Sequence, residues 1–396
     1  MDPTLAETPV PPAERPRGRL PLGRVKGIPL YAHWTFVLLL PVFVFLMARY
    51  FTGFGERTAG AQEYFWGAML AVALFGSVLL HELGHSLTAL RMGLKVRSIT
   101  LLPIGGVSAF DHMPTKPKEE FLVTAAGPAV NFIIGIPLLA AWYAGLIPRA
   151  AGLWDEFLYW TAILNLSLGI FNLLLPAFPM DGGRILRSAL ASRMGLRRGT
   201  EVAASVGRVM AFAMGLWGAF TLASGGWLLL LIAFFIFNGA TAEEAGVRLR
   251  DTLGNLHVGD LMTRTVDTIP ETASVEEAFH VMLRTKHLVL PLKDAAGNYT
   301  GYVHLNDLSR VPTPEHAWRP VADVAKREVF TAHESDPATA ALETINRAGG
   351  EPLLVMEGHT LLGILTKTDL LRAVQILEAE HGGGRRFRGA RGRATG

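Results

Sequence analysis

Residues 64–80 contain no charged side chain, and their apolar character carries on to residue 90. A run of that length matches the ~20 residues a helix needs to span the hydrocarbon layer of a bilayer. Lipid offers no hydrogen-bond partner, so the backbone of such a run must satisfy itself as a helix. At the far end of the run stands His81-Glu82-Leu83-Gly84-His85. Two histidines and a glutamate inside a membrane-length segment are costly, and by default they mark function. On a helix, side chains four residues apart lie one above the other. His81 and His85 can therefore grip one metal ion, leaving Glu82 to act as a base toward water at an open coordination position.

Further apolar runs bring the expected number of membrane spans to six, at about residues 31–48, 64–90, 121–147, 157–180, 202–223 and 227–241. Composition agrees, with half of the residues hydrophobic, 18% charged and a mean hydropathy of +0.31. Basic residues crowd particular segments: Arg15, Arg17, Arg19, Arg24 and Lys26 precede the first span, Arg91, Lys95 and Arg97 follow the second, and Arg184 to Arg198 follow the fourth. By the positive-inside rule these segments face the cytoplasm, which puts both termini of a multi-pass cell-membrane protein on that side. Residues 1–27 read as a disordered basic tail without the usual form of a signal peptide, so the first span is expected to be retained. The net charge of +3 gives no reason to expect a nucleic-acid partner. Cysteine is absent, so disulfides and thiolate ligands are excluded and any metal must be held by His and carboxylate.

Between the second and third spans, residues 96–110 are too short to cross a bilayer and rich in β-branched types. Two strands with Gly105-Gly106 as their turn are expected there, beside the histidines, with an edge that could pair with an extended substrate. Gly127 and Asn131 lie in the third span, where an Asn needs a polar partner, either on a neighbouring helix or on the substrate backbone. Pro176 and Pro179 should end the fourth span just ahead of Asp181, and that unwinding would let its carboxylate turn toward the histidines.

His81-Glu82-Leu83-Gly84-His85 resembles the metal-binding motif of the site-2 protease family of intramembrane metalloproteases. Two further segments match that family in its order: Gly127-Pro128-Ala129-Val130-Asn131, and Asn172 through Pro179-Met180-Asp181-Gly182-Gly183-Arg184. The resemblance covers residues 20 to 245 and implies zinc held by His81, His85 and Asp181, Glu82 as catalytic base, and a transmembrane protein or peptide as substrate. Gly105, Gly106, Gly127 and Asn131 would then position the scissile peptide. One departure is Phe178, where many members carry Asn before the Pro.

After residue 242 the composition becomes that of a soluble α/β protein. Gly301-Tyr302-Val303-His304-Leu305-Asn306-Asp307 and Gly363-Ile364-Leu365-Thr366-Lys367-Thr368-Asp369 stand 62 positions apart, and Asp260-Leu261-Met262 is echoed by Asp323-Val324-Ala325. This resembles a pair of CBS (cystathionine-β-synthase) domains, at residues 255–312 and 318–378. The resemblance implies a cytoplasmic module that binds an adenine nucleotide through Thr366, Asp369 and Asp307, with His304 replacing the hydroxyl residue in the first copy. The alternative reading of the module is a ligand-free dimerisation unit, and pairing through it implies a homodimer or higher oligomer. Residues 381–396 read as a disordered Gly/Arg tail able to touch anionic lipid.

The sequence thus points to a polytopic α-helical membrane domain with six transmembrane segments, followed by a cytoplasmic α/β CBS-domain pair. Its expected activity is regulated intramembrane proteolysis by a zinc peptidase. The alternative is a CBS-regulated metal-binding transporter, which would need ligand carboxylates along a path through the spans.

Overall fold

The computed structural model describes residues 18–52, 60–103, 105–110, 114, 116–147, 153–254, 256–327, 329–358 and 360–390. The chain divides into two units, Met1–Ala245 and Gly246–Gly396.

The first unit opens with strands β1 (Arg19–Val25) and β2 (Ile28–His33). Residues 19–25 had been assigned to a disordered tail, and the structure corrects this. Lys26 and Gly27 both adopt positive φ, at 47° and 84°, the conformation of the two-residue turn whose twist suits a tight hairpin. The helices that follow are α1 (Trp34–Phe51), α2 (Ala61–Arg91), α3 (Pro117–Tyr143), α4 (Leu153–Leu174), α5 (Asp181–Met194), α6 (Leu196–Phe220) and α7 (Trp227–Leu253). All but α5 are long and apolar enough to cross a membrane, which makes six. Their outward faces carry large apolar side chains such as Leu38, Ile133, Phe212, Phe220 and Phe234, an arrangement that suits lipid rather than water. Inward faces use small residues for close approach: a Cβ on Gly84 of α2 would stand 2.7 Å from the Ala126 carbonyl oxygen of α3.

Strands β3 (Val96–Leu102) and β4 (Gly105–Phe110) form the expected hairpin between α2 and α3. Gly105 and Gly106 are not its turn, however. They pair with Leu102 and Leu101 and so belong to the ladder. The sheet order is β1-β2-β3-β4, with β2 and β3 parallel and the other pairs antiparallel, so β4 lies at an edge. Ile28, Leu30 and Ile99 from the sheet pack on Leu83 of α2 and fasten the sheet beside the metal-motif helix.

Two more expectations give way. Arg184, Arg187 and Arg193 stand on a helix, α5, rather than in a loop, because Leu186 and Leu190 recur one turn apart and pack against the cluster of Phe178, Ala203, Ala204 and Ala240, while Arg197 and Arg198 lie in the first turn of α6. Likewise α7 does not stop near residue 241 but continues to Leu253.

The second unit contains two similar sheets, β5 (Ile269–Pro270), β6 (Val289–Lys293) and β7 (Tyr299–His304), then β8 (Phe330–Ala332), β9 (Leu353–Glu357) and β10 (Thr360–Leu365). In each, the first two strands pair parallel and the last two antiparallel. Helices α8 (Val258–Leu261), α9 (Val275–Thr285), α10 (Leu305–Leu308), α11 (Ala338–Arg347) and α12 (Lys367–Ala390) complete it. The expected tail from residue 381 is helical as far as Ala390, since once a helix is nucleated each added residue gains a hydrogen bond, and residues 391–396 lie outside the described residues. The repeats are interleaved. Val258 and Met262, which open the first, lie in the core formed by Leu342, Ile345 and Leu353 of the second. Val321, which opens the second, lies with Ile269, Val275 and Leu290 of the first.

Candidate metal centre

Three stretches far apart in sequence meet at one point. The α2 helix places His81 and His85 on one face, and α4 stops at Leu174, where Pro176 and Pro179 cannot donate to a helical ladder. The chain then turns and restarts as α5 with Asp181 as its first residue. Gly183 makes this turn possible, since a Cβ there would lie 2.5 Å from the Phe178 amide nitrogen. As a result His81 Nε2 stands 3.1 Å from His85 Nε2, and Asp181 Oδ2 lies 3.1 Å and 3.4 Å from the two ring nitrogens.

The surroundings decide which ring nitrogens carry protons. His85 Nδ1 donates to the Val123 carbonyl at 2.8 Å, and His81 Nδ1 donates to Asn131 Oδ1 at 2.5 Å. The Asn131 amide is oriented by its Nδ2, which donates to Asn165 Oδ1 at 3.1 Å, while Asn165 donates in turn to Ser77 Oγ at 2.9 Å. Both Nδ1 atoms are therefore protonated, and both Nε2 atoms present lone pairs to each other and to a carboxylate. Among the described residues Asp181 Oδ2 is buried and has no hydrogen-bond partner. Three electron-rich atoms held this close without a proton repel one another unless a cation sits among them. In a tetrahedral site with metal–ligand distances of about 2.0–2.2 Å, neighbouring ligand atoms stand roughly 3.3–3.6 Å apart, so the donor set fits a zinc-sized ion.

The other expected residues fall as follows. A Cβ on Gly127 would overlap His85 Nε2 and lie 2.8 Å from His81 Nε2, so only glycine lets α3 pass this close. Gly106 bears the same relation to Glu82, where a Cβ would lie 3.0 Å from Oε1. Gly105, at the start of β4, has no neighbour within 4 Å of a Cβ position. Of the two partners expected for Asn131, the structure shows the neighbouring helices: the residue is fully buried, and its amide is taken up by His81 and Asn165. Two contributors had not been anticipated. Ser108 of β4 donates to Glu82 Oε2 at 2.6 Å, and buried Asn165 completes the relay behind His81. Asn165 is legible after the fact as an amide in a membrane span, whereas Ser108 carries no local signal because only pairing of β3 with β4 aims it at Glu82.

In the second unit, Thr366 and Asp369 close a capping box at the start of α12: the Thr366 hydroxyl and amide donate to Asp369 Oδ2 at 2.6 Å and 2.9 Å, and the Asp369 amide donates back to Thr366 Oγ1 at 3.3 Å. In the first copy His304 Nδ1 accepts from the Asn306 amide at 3.0 Å and does the same capping work. Asp307 faces Lys326, with 3.8 Å between Oδ2 and Nζ.

Comparison with known proteins places this geometry in a family. The profile of peptidase family M50 matches residues 69–147 and 143–214, and that of the CBS domain matches 258–313 and 321–376. Zinc metalloprotease MJ0392 of Methanocaldococcus jannaschii is 35% identical over 358 residues, covering 90% of this chain and 96% of its own. The chain belongs to the site-2 protease family, peptidase family M50. Rip3 of Mycobacterium tuberculosis is 34% identical over 91% of this chain and 94% of its own. Among solved structures, a site-2 protease from M. jannaschii is 40% identical and covers 57% of this chain and 95% of that one, with a TM-score of 0.42. The protein is therefore a multi-pass membrane metalloprotease carrying two CBS domains, and the transporter alternative falls away.

Proposed function

We propose that this metalloprotease cuts a peptide bond within or next to a transmembrane segment of another membrane protein, near the cytoplasmic face, using one zinc ion held by His81, His85 and Asp181. The observation that carries this reading is the convergence of two Nε2 atoms and one carboxylate oxygen, within 3.4 Å of one another, on a membrane-length helix that also bears Glu82. Zinc bound there supplies Lewis-acid polarisation of the scissile carbonyl and acidifies water. Glu82 takes a proton from the attacking water and hands it to the departing amine. Ser108 holds one oxygen of that carboxylate, and Asn131 and the Val123 carbonyl keep the histidines in the tautomer that presents Nε2.

A transmembrane helix shields its own peptide bonds, so a substrate must be drawn out into an extended form before it can be cut. The edge of β4 supports such a role: its backbone is paired with β3 on one side, and it passes Glu82 at Gly106 without a side chain in between. The basic segments support an orientation with β4, the metal motif and both termini toward the cytoplasm.

The CBS pair is read as a cytoplasmic sensor of adenine nucleotide, with Thr366, Asp369 and Asp307 as contacts, and as the place where two chains associate. Modulation requires the nucleotide to favour one arrangement over another. The residues that lead from the first unit into the second are helical within α7, a segment suited to relaying such a preference.

The test is co-expression with single-span membrane proteins, comparing wild type with Glu82→Gln. Loss of the base is expected to slow cleavage by about a hundredfold to ten-thousandfold while zinc is retained. Zinc at full occupancy with near wild-type cleavage would sink the assignment of Glu82.

A further inference from the structure

Arg187 lies on α5 six residues after Asp181 and is almost fully buried, at 4% exposure. Its Nε donates to Glu120 Oε1 of α3 at 2.8 Å, its Nη2 reaches the same oxygen, and its Nη1 reaches Glu243 Oε1 of α7. The guanidinium also lies over the ring of Phe178, 5.1 Å from the centroid. One side chain thus joins three helices and covers the turn that delivers Asp181.

Each partner has a link to the metal centre. Glu120 stands one helical turn before Val123, whose carbonyl accepts from His85 Nδ1. Phe178 and Pro179 immediately precede Met180 and Asp181, and α7 presses on this turn from the other side: a Cβ on Gly239 would lie 2.5 Å from Pro179 Cδ, and Ala240 shares a cluster with Phe178. The two histidines and the aspartate come from segments with no covalent reason to be in register. The α3–α5 ion pair supplies one, because it ties the helix that begins with Asp181 to the helix turn that holds His85.

We propose that Arg187 is a positioning residue for the metal centre, fixing Asp181 relative to His81 and His85 through its fork between Glu120 and Glu243 and its cover over Phe178. The inference rests on the reading of His81, His85 and Asp181 as the zinc ligands. A planar guanidinium can serve two carboxylates and an aromatic face at once, whereas an ammonium cannot. Lysine at this position keeps the charge but loses the geometry.

The experiment uses the full-length protein purified in detergent, and measures zinc loss to a chelator and the visible absorption of the cobalt(II)-substituted protein. Thermal melting is recorded separately. Arg187→Lys is expected to melt as wild type does but to lose zinc about 10–100-fold faster, the usual range when a group orienting a metal ligand is removed, with an altered cobalt spectrum. Arg208→Met is the control, since it breaks the Arg208–Glu244 pair between α6 and α7 without touching the turn before Asp181; its zinc release should equal wild type. Should Arg187→Lys not fold, the double variant Arg187→Met with Glu120→Gln, which strands one carboxylate fewer, is expected to show the same fast release. Wild-type zinc release and cobalt spectrum in Arg187→Lys would overturn the proposal, as would equal loosening in Arg208→Met, or failure of both Arg187 variants to fold. A wild-type protein that held no zinc would instead overturn the metal-site reading beneath it.

Discussion

At the scale of single residues, the centre depends on atoms whose alternatives are blocked. Asp181 Oδ2 is buried without a hydrogen-bond partner among the described residues, and a cation between it and the two Nε2 atoms would compensate it. Asp181→Ala should therefore lower both zinc content and cleavage, although 96 positions of chain separate it from His85 (residues 85 and 181). Metal analysis of the purified variant checks this, and undiminished zinc would mean that the third ligand lies elsewhere. Asn131 acts at one remove, since its Oδ1 holds the proton of His81 Nδ1. Asn131→Ala is expected to weaken zinc binding by about 10–100-fold, as measured by competition with a chromogenic chelator. An unchanged affinity combined with a raised KM would return Asn131 to the substrate side.

At the scale of elements, β4 is where the base and the proposed substrate track meet. Gly106 has no room for a side chain, because a Cβ there would overlap the Glu82 chain it passes. Gly106→Val is expected to displace Glu82 and to reduce kcat at least tenfold while zinc stays bound. An unaltered rate would show that the strand can move aside. The amphipathic α5 was hidden within a count of positive charges. Leu186 and Leu190, facing Phe178, explain why it folds, and Asp181 at its positive end explains how the ligand is aimed.

At the scale of the whole molecule, topology and module stability are open to direct measurement. Reporter fusions after Gly195 should read cytoplasmic, and fusions after Gly145 external. An external reading at 195 would separate Asp181 from the histidines and end the metal-site proposal. Within the second unit the interleaving of repeats means that a change before the first copy is felt in the second. Leu253 is fully buried in the cluster that contains Ile345 and Leu353, so Leu253→Ala should cost that unit about 2–5 kcal/mol, seen as a lower melting midpoint. Loss below ~0.5 kcal/mol would refute the packing. Asp369→Ala should abolish binding of ATP, ADP or AMP by the full-length protein in calorimetry while zinc content holds. Because the same carboxylate closes a capping box, a melting curve is needed beside it; a variant that melts early but still binds nucleotide would reduce Asp369 to a cap.

What the sequence determined by itself was local or periodic. Apolar runs of membrane length dictate six helices because lipid leaves the backbone no other partner. His81 and His85 share a face because four residues make about one turn, and repeats some 62 positions apart announce a doubled domain. The sheet hairpin was legible as to place, but its turn was not: Gly105-Gly106 carried the usual signature, while the close approach to Glu82 was the actual reason for Gly106. What tertiary structure alone decided depends on register between distant segments. Ser108 meets Glu82 only through strand pairing, and Asn165 reaches His81 only through Asn131. Arg187, one of several basic residues after the fourth span, becomes the buried partner of Glu120 only when α3 and α5 cross. No spacing within a chain encodes such contacts, because the attraction that offsets the cost of desolvating two charged side chains arises only once the helices are packed.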